Sequence, residues 1–164
     1  MMPSIIEFAF KNFWLLAIII TLINAYYFKV RSRSLVRDNP DLKDDYNKVF
    51  WGTIVFLGIP WLVMGIGMTI GGIPTVFHFF RPRDGNPYVI AFHLNIIIIW
   101  ILSIIWIYFK DGANFWVKYI TPLGRQTLFT GSVLGVKIWF ALSLLGGIAG
   151  MAMMWLINIP VPNF

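Results

Sequence analysis

The chain has 164 residues, of which 59% are hydrophobic and 12% are charged, and its formal net charge is +6. Soluble domains are about 25% charged, so this composition excludes a soluble globular protein. It predicts an all-α integral membrane protein with one transmembrane domain over residues 1–164. The sequence has no cysteine, which excludes disulfides and thiolate metal ligands.

Four long apolar stretches predict the transmembrane helices. They cover residues 5–28, 49–72, 89–109 and 128–157. Each reaches or exceeds the ~20 residues that a helix needs to cross the hydrocarbon core of a bilayer. We therefore expect a four-transmembrane-helix bundle, with an exposed polar connection at residues 29–48 and a short interfacial segment before the fourth helix.

The distribution of basic residues predicts the orientation in the membrane. Nine of the thirteen Lys and Arg residues lie in the first and third connections: Lys29, Arg31, Arg33, Arg37, Lys43, Lys48, Lys110, Lys118 and Arg125. By the positive-inside rule these connections are cytoplasmic and both termini are non-cytoplasmic. Orientation accounts for the basic charge without a nucleic-acid partner, and the basic fringe predicts membrane lipids with anionic headgroups as partners on the cytoplasmic side.

Glycines in the second predicted helix indicate close helix packing. Gly58, Gly65 and Gly72 recur every seven residues, which places them on nearly one face. Gly67 and Gly71 form a second pair on the opposite side. Small residues let helix backbones approach closely in membranes, so this helix is expected between two neighbours.

The fourth predicted helix has a second glycine face, with Gly131, Gly135, Gly146 and Gly150. The two glycine-rich helices predict a core in which helix two packs against helix four. The bulkier helices one and three are then expected on the outside of the bundle.

Two histidines, His78 and His93, lie near the outer ends of helices two and three. Two facing imidazoles in a helical bundle can ligate a b-type haem, and neighbouring phenylalanines would suit a flat apolar cofactor. The alternative is that both are interfacial or structural histidines with protein partners. The pattern identifies no cofactor and no metal site.

The outer connection contains Arg81 and Arg83 in a turn with Asp84. Two arginines can clamp a phosphate or carboxylate, which makes them candidates for anion or partner binding. The alternative, which we expect, is that Arg83 pairs with Asp84 in a structural turn.

Lys137 is the basic residue that lies within a predicted span, in the fourth helix. Its stem can extend to the headgroups, it can contact Asn24 or a backbone carbonyl, or it can handle an ion or substrate. The middles of the spans contain no acidic residue, which excludes an intramembrane carboxylate relay. We assign no catalytic residue, and the sequence favours a non-enzymatic protein.

The features that dominate the sequence are helix interfaces. They predict a multi-pass membrane protein of a bacterial inner (plasma) membrane that self-associates as a homo-oligomer, or is a small subunit of a membrane complex, through its glycine faces. One alternative is a homo-oligomeric channel or carrier lined by the second helix, which Pro60 is expected to kink. Another is a haem- or quinone-binding electron-transfer subunit that uses His78 and His93.

Overall fold

The computed structural model describes residues 5–124, 129–157 and 159–162, in which every regular element is helical. The α-helices are α1 (Ile5–Lys11), α2 (Phe13–Asp38), α3 (Lys43–Thr69), α4 (Pro87–Ile104), α5 (Gly112–Phe115) and α6 (Val133–Leu156). A π-helical turn, Ile105–Phe109, continues α4, and a second one, Trp116–Ile120, follows α5. Short 3-10 turns cover Pro40–Leu42, Val76–Phe80, Pro82–Asp84 and Thr121–Leu123.

Four of the helical segments are long and apolar enough to cross a membrane. They are Phe13–Asp38, Pro40–Thr69, Pro87–Phe109 and Val133–Leu156. The predicted all-α class and the number of span-length helices are therefore confirmed. Arg125 of the third connection and Leu128, the expected start of the fourth helix, lie outside the described residues.

The first connection is much shorter than its polarity suggested. The α2 helix continues to Asp38, and α3 begins at Lys43, so the chain reverses within a single 3-10 turn. Lys and Arg are good helix formers, and their polarity ends the apolar zone without ending the helix. The ten residues of α2 beyond Phe28 extend it by roughly 15 Å past its apolar stretch.

Local capping sets the other helix boundaries. Asn12, whose side chain donates to the Phe8 carbonyl at 2.9 Å, separates α1 from α2. The α3 helix ends at Thr69, and Gly72 then takes a φ of 66°, which favours glycine. The Ser132 hydroxyl accepts from the Gly135 N–H at 3.0 Å, so α6 begins at Val133.

The α2 and α3 helices form the most extensive pair in the fold. The buried residues of α2 include Ala17, Thr21 and Ala25, which are four residues apart on one face. Small side chains at this spacing let the two backbones approach closely. At one end of the pair, a Cβ atom added at Gly65 of α3 would lie 2.6 Å from Cε3 of Trp14.

Aromatic rings also fill the spaces over glycines at the other helix contacts. A Cβ atom added at Gly67 would lie 2.9 Å from Cζ of Phe79, and one added at Gly71 would lie 2.5 Å from Cδ2 of Tyr88. In α6, Gly147 similarly lies under Trp100 of α4. Because glycine has no side chain, each of these positions leaves the space that the aromatic ring occupies.

The second and fourth predicted helices correspond to α3 and α6. The prediction that these two pack against each other in the core of the bundle is wrong. The α3 helix packs chiefly against α2 and α4, whereas α6 contacts α4 through large side chains and also packs on the α5 region. The first predicted helix corresponds to α2. It was expected on the outside of the bundle, but it is the main partner of α3. A glycine gap accepts an aromatic ring as readily as a second backbone, so glycine spacing did not identify the partner helix.

The larger buried side chains form three clusters near the ends of the helices. One includes Met64, Phe79 and Val89 and lies beside the second connection. The other two lie at the opposite end, one around Tyr46 and Tyr119 and one around Ile107, Ala113 and Val136. The two ends of the bundle are therefore its most densely packed parts.

Replacing Gly65 with alanine should destabilise the fold. The added Cβ would lie 2.6 Å from the Trp14 ring. Overpacking of this kind costs about 1–3 kcal/mol, so we expect a lower melting temperature in mild detergent.

The matched control is Gly52→Ala, because a Cβ at Gly52 has no neighbouring atom within 4 Å. This variant should be as stable as the wild type, or more stable by up to about 1 kcal/mol through helix propensity. Equal melting temperatures for the two variants would contradict the packing of Trp14 on Gly65.

Candidate functional site

His93 is a buried polar link between three parts of the fold. Its side chain is 2% exposed, and its Nε2 atom lies 2.8 Å from the Phe79 carbonyl oxygen. The Trp155 indole Nε1 donates to His93 Nδ1 at 3.2 Å. A neutral imidazole with its proton on Nε2 satisfies both contacts, as donor to the carbonyl and acceptor from the indole. His93 thereby joins the second connection, α4 and α6.

His78 lies at the same end of the bundle, in the turn Val76–Phe80. Its Nδ1 atom is 3.1 Å from the Thr75 hydroxyl and 3.3 Å from the Thr75 carbonyl oxygen. The structure therefore places both histidines at one end but gives each its own protein partners. A haem iron at His93 would have to displace either the Phe79 carbonyl or the Trp155 indole.

The two candidate anion-binding arginines have different environments. Arg81 pairs with Asp84, with Nε 3.1 Å from Oδ2 and Nη2 3.2 Å from Oδ1. The expected Arg83–Asp84 pair is wrong, because the 3-10 turn brings residues three apart to the same side. Arg83 is exposed and donates to the Leu156 carbonyl at 3.3 Å, at the end of α6.

Lys137 lies in the second turn of α6, beside the end of α4. Its ammonium is 5.8 Å from the centroid of the Tyr108 ring, and the Tyr108 hydroxyl donates to the Lys137 carbonyl at 2.8 Å. This distance is within the range of a cation–π contact. Lys137 and Tyr108 together fasten the start of α6 to the π-helical turn of α4.

The glycines predicted to pack helices have unequal roles. Gly58 is buried in α3, and Gly135 lies against the Phe129 carbonyl at the start of α6. Gly131 lies in the exposed turn before α6. Gly65 packs under Trp14, and Gly72 is in the turn that ends α3. Gly65, Gly72, Gly131 and Gly135 serve the internal packing or the turns of the chain, whereas a Cβ atom added at buried Gly58 would have no neighbouring atom within 4 Å.

Gly146 and Gly150 lie four residues apart in α6, and we call them the glycine face of α6. A Cβ atom added at either residue would have no neighbouring atom within 4 Å. Leu142 and Met153 are exposed to either side of them, at 57% and 56%. Gly146 is exposed and Gly150 is half-buried, and no other part of the described chain covers their Cβ positions.

A groove of about 620 Å³ runs between α4 and α6, and its lining is almost entirely apolar. Ile97 and Ile104 line it from α4, and Leu144 and Ile148 line it from α6. The groove reflects the spacing of these helices, which touch through large side chains and not through their backbones.

A basic cleft lies between α2 and α3 at the other end of the bundle, with a volume of about 380 Å³. We define this basic cleft by its lining residues, which are Lys29, Ser32, Arg33, Val36, Arg37, Lys43, Tyr46 and Asn47. The sequence interpretation missed it by treating residues 29–48 as an exposed connection. The four-residue spacing of Lys29, Arg33 and Arg37, which puts them on one helix face, could have indicated it.

Of the acidic residues near the basic cleft, Asp38 pairs with the cleft-lining Arg37, whereas Asp45 is paired outside the cleft. Asp45 accepts a hydrogen bond from Lys48 at 2.8 Å, and it is not among the lining residues. On the neighbouring segment, the hydrogen bond with Tyr119 raises the pKa of Lys118, and Asp45 raises it further, so Lys118 stays charged at neutral pH. Basic charge therefore dominates this end.

Four apolar span-length helices define the chain as an α-helical multi-pass membrane protein. No protein family model, curated protein or solved structure matches it. Among the described residues, no three His, Asp or Glu side chains are grouped so that they could hold a metal ion.

Replacing His93 with alanine should destabilise the protein by about 2–5 kcal/mol, because it leaves a buried carbonyl and an indole N–H without partners. We expect a lower melting temperature in detergent and weaker protection of α6 from proteolysis. His78→Ala is the control and should cost less, because His78 is only partly buried. Equal stability of His93→Ala and the wild type would contradict the linking role of His93.

Proposed function

We propose that this chain is a non-enzymatic membrane protein that self-associates through the glycine face of α6. The observation that carries the proposal is that the Cβ positions of exposed Gly146 and half-buried Gly150 have no neighbour within 4 Å. The basic residues around the first and third connections support an orientation with both termini outside the cytoplasm. We place the protein in a bacterial inner membrane.

The presence in α6 of two glycines with nothing packed over them calls for a physical explanation. Glycine costs about 1 kcal/mol relative to alanine in a helix, so residues with nothing packed over them lower the stability of an isolated α6. Gly146 and Gly150 are four residues apart, and thus about 6 Å along one face. In a bilayer this arrangement lets a second helix approach closely and gain van der Waals contact.

A second copy of the same chain fits the glycine face. All copies share one orientation in the membrane, so two α6 helices meet in parallel around an axis along the membrane normal. This symmetry brings the same surface of each copy together and closes the contact as a dimer. A helix of another membrane subunit is the other occupant that the face could accept.

The two alternatives stay predictions. A channel lined by α3 would require Trp14 and Tyr88 to leave the glycines of that helix on which they pack. It would also require buried Pro60 to become exposed. An electron-transfer role with His93 as a haem ligand would require the loss of its hydrogen bond with Phe79 or with Trp155. In both cases the candidate residues already have structural partners.

Replacing Gly146 and Gly150 with isoleucine should prevent self-association. A bulky side chain in a close helix contact costs about 1–3 kcal/mol, so the dimer should weaken by about tenfold or more. Energy transfer between labelled copies in liposomes, measured over a series of protein-to-lipid ratios, would report the change. The double variant should melt at a temperature no lower than that of the wild-type monomer, because a Cβ atom at either site has no neighbour within 4 Å.

Gly52→Ile is the matched control, because its Cβ position is also open but lies on α3. It should associate as the wild type does. A wild-type protein that stays monomeric at every protein-to-lipid ratio would contradict self-association. Association that the Gly146 and Gly150 variants retain in full would contradict the proposed contact.

A further inference from the structure

The basic cleft has the composition of an anion-binding site. Lys29, Arg33 and Arg37 line it from α2, and Lys43 faces them from α3. Ser32, Tyr46 and Asn47 add polar groups to the lining. Among the described residues, no carboxylate lines the cleft.

The charge in the cleft is largely uncompensated. Within the described part of the chain, Arg37 is the one cation of the four that has an ion pair, with Nε 3.4 Å from Asp38 Oδ1 on an exposed surface. Lys29 lies over the Phe50 ring at 4.8 Å from its centroid. Like charges four residues apart repel each other along a helix, and Lys43 adds another cation across the cleft. An anion between the helices would relieve this repulsion.

The position of the basic cleft along the membrane normal matches that of a phosphate group at the membrane surface. Lys29 directly follows the apolar stretch that ends at Phe28, and Tyr46 lies just before the one that begins at Val49. The cleft thus begins where the hydrocarbon zone ends and extends along the polar part of the α2–α3 hairpin. Lys and Arg at this depth meet lipid headgroups.

We propose that the basic cleft binds a phosphate group, held by Arg33, Arg37 and Lys43 between α2 and α3. Arginine binds phosphate oxygens through two parallel N–H donors, and lysine adds a point charge. The headgroup of an anionic phospholipid and a soluble phosphorylated compound present the same chemistry. The site is independent of self-association, because it lies on other helices than the glycine face.

The test compares the purified wild type with Arg33→Gln/Arg37→Gln. One arm titrates dioleoylphosphatidylglycerol against dioleoylphosphatidylcholine by native mass spectrometry in detergent. The other titrates pyrophosphate by calorimetry into the protein in phosphatidylcholine nanodiscs. Each cation at a headgroup contributes about fivefold in affinity, so the double variant should lose about thirtyfold. Arg33→Lys/Arg37→Lys keeps the charge but removes the paired N–H donors, so its affinity should lie between those of the glutamine variant and the wild type.

The matched control is Arg31→Gln/Lys110→Gln, which removes two charges at the same end but outside the cleft. Arg31 stacks on Tyr27, on a different face of α2. The control should bind as the wild type does. Selective binding of phosphatidylglycerol identifies a lipid ligand, and binding of pyrophosphate identifies a soluble one. Equal losses in the two double variants, or no binding in either arm, would overturn the proposal.

Discussion

Aromatic rings packed over glycines hold the helices of this protein together. Trp14 fits over Gly65 between α2 and α3, Tyr88 over Gly71 between α3 and α4, and Trp100 over Gly147 between α4 and α6. Hydrophobicity cannot draw helices together in a bilayer, because the lipid is equally apolar, so close packing must do so. The positions of the histidine link, the groove and the glycine face all follow from these contacts.

The fold class could be predicted because transmembrane length and apolarity are properties of single segments. Helix ends and helix partners could not be predicted as well, because they depend on other interactions. Residues 29–38 are helical although many of them are polar, because the end of an apolar stretch does not end a helix. The α2 helix ends at Asp38 because Asn39, which precedes Pro40, is extended. The four-residue spacing of the small residues Ala17, Thr21 and Ala25 could have indicated that α2 packs closely against α3. We did not recognise this spacing because larger apolar residues surround it.

The candidate sites show the same limit. The sequence placed His78 and His93 at one end of the bundle, where they lie, but it could not show that Phe79 and Trp155 bond to His93. These partners come from distant parts of the chain. It also could not show which loop arginine Asp84 pairs with, because that choice depends on a 3-10 turn. The sequence likewise could not show that the Cβ positions of Gly146 and Gly150 are open, because this depends on the position of α6 relative to α4.

The three clusters of larger buried side chains lie near the helix ends, so the middle of the molecule is less densely packed. There, α4 and α6 enclose an apolar groove that the chain does not fill. The position of α6 relative to α4 along this groove therefore depends on a small number of side-chain contacts, such as that of Trp100 with Gly147. We therefore expect α6 to shift more easily than the other long helices when the protein is extracted from the membrane.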